Sequence, residues 1–193
     1  MSLRSLKTLL VSLSLLASTS VLAAPLVVDI AGVESHGELG DPNNTVWTYN
    51  VGANSTITGV SYSFNVTAYD PSWLSEIGLA FTDSKSGNGV VFTPGVLDWY
   101  SGTADYADAV DLREYDLAFQ VGSDGILRLE FYEDYDDFSG PDGIWNFGTI
   151  TFDIEPQAAA VPEPMSALLL GAGALAMGYA GRRRRAGKAP EAA

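Results

Sequence analysis

The sequence contains no cysteine. A chain without thiols closes no disulfide and offers no thiolate, so a small cross-linked scaffold and cysteine catalysis are both excluded. Histidine is nearly as scarce. His36 is the only one in 193 residues, and a single imidazole cannot build the usual zinc site. A serine triad would need a nucleophile elbow, and no Gly-x-Ser-x-Gly occurs. Positive charge is also rare between residues 24 and 157, where Lys85, Arg113 and Arg128 face 22 acidic residues, a net charge of −19. Such a segment repels nucleic acid and anionic membrane surfaces and attracts cations. The same charge also serves plain solubility.

The remaining basic residues lie at the two ends, and both ends read as addresses. Met1 to Lys7 is short and basic, Thr8 to Leu22 is uncharged and rich in leucine and valine, and Val21-Leu22-Ala23 offers a small residue at the expected cut. This is the three-part pattern of a secretory signal peptide over 1–23, to be removed by signal peptidase after Ala23. A retained anchor is the other reading. At the far end, residues 158–164 form a linker closing on Pro162-Glu163-Pro164. The prolines end any helix from the domain side and leave an extended backbone open to a processing enzyme. No charge follows until Arg182. Pro164 to Gly181 is 18 residues, about 27 Å as a helix, enough to span a bilayer core. The expectation is a transmembrane helix over 165–181, with Arg182, Arg183, Arg184 and Arg185 as the membrane stop. Residues 182–193 then form a basic cytoplasmic tail, with the acidic domain outside the inner membrane.

Pro162-Glu163-Pro164, an apolar span and an arginine cluster, in that order at the C-terminus, resemble the PEP-CTERM sorting signal. Ala186 to Ala193 run past the usual end of that pattern. The resemblance implies a protein of a Gram-negative-type bacterium, processed near Pro-Glu-Pro by an exosortase-type enzyme. It further implies release or display at the cell surface in an organism that makes exopolysaccharide. An anchor that is never cut has the same insertion physics.

Residues 24–157 are the right size for one domain. Val60 to Ala68 alternates apolar and polar residues strictly, as do Leu127 to Phe131 and Thr149 to Ile154. A period of two marks half-buried strands. Weaker strands fit 26–30, 46–51, 76–82, 90–93 and 116–121. Turn residues cluster between them, as at Asp41-Pro42-Asn43-Asn44 and Ser86-Gly87-Asn88-Gly89. The expected fold is all-β, an antiparallel β-sandwich of jelly-roll type. Residues 100–115 break the pattern, and Asp105, Asp108 and Asp111 would share one face of a short helix, or lie in a long loop. Asp124 to Leu129, an acidic loop, then Trp145 and a closing strand also resemble, over a short stretch, the end of galactose-binding-like jelly-roll modules.

The chemistry expected of this domain is binding rather than catalysis. Glu133 to Gly143 is the densest acidic stretch. Flexible carboxylates and carbonyls of this kind suit calcium, so Asp134, Asp136, Asp137 and Asp142 are candidate ligands, although the spacing is not that of an EF-hand. A solvated loop is the plain alternative. The four tryptophans, Trp47, Trp73, Trp99 and Trp145, read as core or corner residues; a sugar-stacking platform is the alternative, for which Trp73 and Trp99, near loop signals, are the better candidates. The expectation is an exported surface or matrix module associated with exopolysaccharide. A glycan hydrolase using a carboxylate pair and a passive coat protein are the alternatives.

Overall fold

The computed structural model describes residues 24–157 except Phe138. The signal peptide, the Pro162-Glu163-Pro164 motif, the apolar span and the Arg182–Arg185 cluster lie outside the described residues. Among the described residues no helix is long and apolar enough to cross a membrane.

Among the described residues ten strands make two antiparallel sheets: β1 (Leu26–Asp29), β2 (Val33–Ser35), β3 (Thr45–Asn50), β4 (Thr56–Ala68), β5 (Ile77–Asp83), β6 (Gly89–Phe92), β7 (Gly102–Asp111), β8 (Phe119–Gln120), β9 (Ile126–Glu133) and β10 (Gly143–Glu155). One sheet runs β1-β10-β4-β7, with β2 also on β10 and β8 also on β4; the other runs β3-β9-β5-β6. Alternation along β4 turns Val60, Phe64, Val66 and Ala68 inward, and alternation along β9 does the same for Leu127, Leu129 and Phe131. The inner faces meet in aromatic contacts. Trp145 lies edge-on to Phe64 of its own sheet at 4.7 Å and to Phe131 of the other at 5.3 Å, and Phe81 packs across on Phe152 at 5.1 Å. Each large apolar side chain buried this way stabilises the fold by about 1.5–3 kcal/mol, which is how a chain without disulfides holds its sheets together.

Two parts of the chain depart from expectation. Residues 102–111 are neither helix nor loop. They form β7, a ten-residue edge strand paired along β4 from Gly59↔Asp111 to Ala68↔Gly102. Asp105 and Asp111 therefore share one face and Asp108 takes the other. Among the described residues only Leu112–Tyr115 is helical, one 3₁₀ turn capped by the Asp111 side chain. The second departure is β2, a three-residue strand whose sequence carries too few positions for a period to show. It continues β1 along β10 after a turn at Ala31-Gly32, where Gly32 has φ +76°. The break matches a register shift in β10 between Trp145 and Phe147. That bulge moves the inward set from Trp145 to Ile150 and Phe152, from odd positions to even.

Candidate functional site

Four connections meet at one pole of the sandwich: residues 36–44, 69–76, 93–101 and 134–142. Main-chain hydrogen bonds tie them together. Glu133 N–H donates to Gly37 O (2.9 Å), Asp142 N–H to Ser35 O (3.0 Å), Tyr69 N–H to Asp142 O (2.8 Å) and Asp134 N–H to Glu76 O (3.0 Å). The second and third loops join through Leu74 N–H to Tyr100 O (3.0 Å) and Ser75 N–H to Asp98 O (3.1 Å). The Tyr106 hydroxyl of β7 donates to Asp98 Oδ2 at 2.6 Å, which fixes the 93–101 loop to the edge strand.

The first loop is organised by buried Asn44. Its amide nitrogen donates to Gly37 O, Glu38 O and Glu130 Oε1, and its oxygen accepts from Gly37 N–H. Glu130 is buried yet satisfied. Burial alone would raise its carboxyl, but hydrogen bonds from Asn44 and Gly40 and the pair with Arg128 at 2.6 Å outweigh burial and hold it below the usual range.

The paired middle loops display the aromatic candidates. Trp73 and Trp99 are both exposed, Trp99 by 69%, and Tyr69 and Tyr100 are exposed on the same loops. Trp73 N–H donates to Glu76 Oε2 at 2.7 Å, and Trp99 Nε1 donates to Val96 O at 3.3 Å, which orients its ring. The structure thus brings the two tryptophans to one pole, on loops joined by backbone hydrogen bonds. Trp145 and Trp47 are in or against the core.

The acidic loop divides. Asp134, Asp136 and Asp137 are exposed, and Asp142 is fully buried. Asp136 lines an open cleft of about 320 Å³ with His36, Asp41, Asn43, Ser139 and Gly140. Asp142 faces inward instead, toward two residues absent from the expected ligand set, Glu133 and Ser72. All three have 0% exposure. Glu133 Oε1 accepts from Ser35 Oγ at 3.2 Å, but Glu133 Oε2, both Asp142 carboxyl oxygens and Ser72 Oγ have no hydrogen-bond partner. Burial pushes the Glu133 carboxyl up to about 9, with the charge of Asp142 adding to it; burial and the charge of Asp136 push Asp142 up to about 6. The Ser72 hydroxyl and Asp137 amide lie close enough to temper the shift on Asp142, without reaching hydrogen-bonding geometry.

The signal for Glu133 was present in the sequence. It continues the inward series Leu127, Leu129, Phe131 at a spacing of two, so the strand that builds the core also carries this carboxyl into it. Ser72 has no such signal, because it lies in a loop. No group of three histidine, aspartate or glutamate side chains among the described residues is arranged to hold a metal by itself. The two carboxyls with raised values are fully buried.

The chain matches no protein-family model, no curated protein and no solved structure with which it was compared.

Proposed function

We propose that this chain is an exported module that associates with exopolysaccharide through its four-loop pole, without catalysis. The observation that carries the reading is the display of Trp73 and Trp99 on two loops joined by main-chain hydrogen bonds. Flat, exposed, oriented aromatic faces suit stacking on sugar rings. The strand order β1-β10-β4-β7 facing β3-β9-β5-β6 supports reading the sandwich as a jelly roll, an architecture shared by lectin domains. Export follows from the signal peptide over 1–23 and signal peptidase. Sorting follows from the PEP-CTERM-type tail, an inner-membrane stage through helix 165–181, and an exosortase-type enzyme acting near Pro162-Glu163-Pro164. Leu26 and Glu155 both lie at the pole opposite the loops, since β1 pairs Leu26 with Phe152 and β10 starts at the loop pole. The exposed Asp134, Asp136 and Asp137 add a surface on which calcium can bridge to acidic groups of a polysaccharide.

The test is co-sedimentation of the full-length chain, in mild detergent, with the extracellular polysaccharide of its own producer, in calcium and in chelator. Saturable binding in calcium supports the module. Its absence in both conditions overturns the reading and leaves a coat protein without a ligand.

A further inference from the structure

We propose that Glu133, Asp142 and Ser72 form an internal cation site, and that its ligand is calcium. The site differs from the exposed carboxylates of the same loop, and it stands whether or not the loop pole binds polysaccharide.

The argument starts from four buried oxygens without partners: Glu133 Oε2, Asp142 Oδ1 and Oδ2, and Ser72 Oγ. Buried polar atoms are nearly always paired, and each unpaired one costs free energy. Here they are concentrated at one junction rather than scattered. Glu133 ends β9, Asp142 precedes β10 and Ser72 lies in the 69–76 loop, and the backbone bonds Asp142–Ser35, Tyr69–Asp142 and Asp134–Glu76 draw these segments together. A proton shared between these oxygens neutralises one carboxylate and leaves the other buried and charged. A divalent cation removes the charge of both carboxylates and uses all four oxygens as ligands.

The donor set selects the ion. Every candidate ligand is a hard oxygen, the chain has no cysteine, and its one histidine lies in the cleft beside Glu34 at 3.7 Å. Calcium accepts mixed carboxylate, hydroxyl and carbonyl oxygens in irregular geometry, whereas magnesium demands a near-ideal octahedron and keeps several waters. Two carboxylates and a hydroxyl are fewer than calcium's full set, so backbone carbonyls or water of the surrounding loops complete it. A bound ion would then join the ends of β9 and β10 to the 69–76 loop, from beneath the aromatic surface.

The experiment titrates calcium calorimetrically into the chelator-treated full-length chain in mild detergent, with magnesium as comparison. The expected result is about one calcium per chain, bound more tightly than magnesium. Glu133→Gln and Asp142→Asn should each weaken it roughly tenfold or more, because each removes a ligand charge. The double variant Asp136→Asn/Asp137→Asn should weaken it less than either buried variant, because these residues bring charge near Asp142 but no ligand oxygen. Should either buried variant fail to fold, Ser72→Ala removes one neutral ligand with little change in volume and should still weaken calcium severalfold. Two results would overturn the proposal. In one, the wild-type chain takes up no calcium, which leaves the orphaned oxygens to buried water. In the other, affinity falls with the Asp136/Asp137 double variant and not with changes at Glu133, Asp142 or Ser72.

Discussion

At the C-terminal end of β5, the Asp83 carboxylate accepts from Ser86 Oγ, Ser86 N–H and Gly122 N–H, each at 2.7 Å. These bonds, the Ser86 hydroxyl first, hold its carboxyl well below the ordinary value of 3.8. Asp83 therefore joins the β5–β6 hairpin to the turn before β9, and the charged form is the one that folding selects. Above pH 3.8 the group is ionised in both the folded and unfolded chain, and its native hydrogen bonds contribute in full. As pH falls through and below that value the unfolded chain takes up the proton first, so the contribution is lost. Urea titrations from pH 7 downward should show stability falling in this window, and Asp83→Asn should flatten that fall. At pH 7 the same variant should cost about 1–3 kcal/mol, because it replaces a carboxylate with three backbone or hydroxyl donors aimed at it. Nothing in the sequence marked Asp83, since Asp at a turn is common and its third donor, Gly122, is distant along the chain. Trp47 was legible as core because it falls in an expected strand, whereas Trp145 lies before the closing strand expected at 149–154 and its place in β10 came from the structure. Trp73 and Trp99 were legible as loop residues from the turn signals around them.

Among the strands, those that alternate cleanly in sequence, β4, β9 and the end of β10, were the most legible, and β5, buried at nearly every residue, was legible without such alternation. β4 and β9 alternate cleanly because one inward face of each meets the other sheet. β7 was misread because its inward positions are Ala104, Tyr106 and Val110, a small and amphipathic set, while Ala107 and Ala109 point out. Contrast between the faces is therefore weak, and the spacing of Asp105, Asp108 and Asp111 imitated a helix face. Its acidic edge also discourages pairing with another chain. The bulge in β10 has a specific residue behind it. Gly148 sits at φ +126°, and a Cβ there would collide with the Ser63 carbonyl oxygen and the Phe64 backbone of β4. Gly148→Ala should thus cost about 2 kcal/mol or more in chemical denaturation, through both the backbone strain and the clash. If it costs less than about 0.5 kcal/mol, the β10–β4 register drawn around the bulge is wrong.

At the scale of the described domain, the core and the loop pole separate in space. The core is continuous between two sheets and carries the stability. Trp145 is its hinge point, touching Phe64 and Phe131 in opposite sheets, and Trp145→Ala should cost about 3–5 kcal/mol in thermal or urea unfolding. The ends leave at one pole and the four loops gather at the other, an arrangement that strand periodicity could not reveal because it depends on which strands pair. The sequence did mark the acidic loop as the densest cluster of carboxyls. It could not show that one member turns inward to meet Glu133 while three stay in solvent, since that division comes from where β9 ends and β10 begins.

The central claim is that the loop pole recognises polysaccharide through Trp73 and Trp99, and a binding isotherm of the double variant Trp73→Ala/Trp99→Ala against wild type tests it most directly. Both side chains are exposed, so the variant should keep its unfolding free energy to within about 0.5 kcal/mol. The account predicts that saturable association of the full-length chain with its producer's extracellular polysaccharide weakens by about tenfold or more, as loss of two stacking faces requires. Equal binding by the wild type and a folded double variant would contradict it.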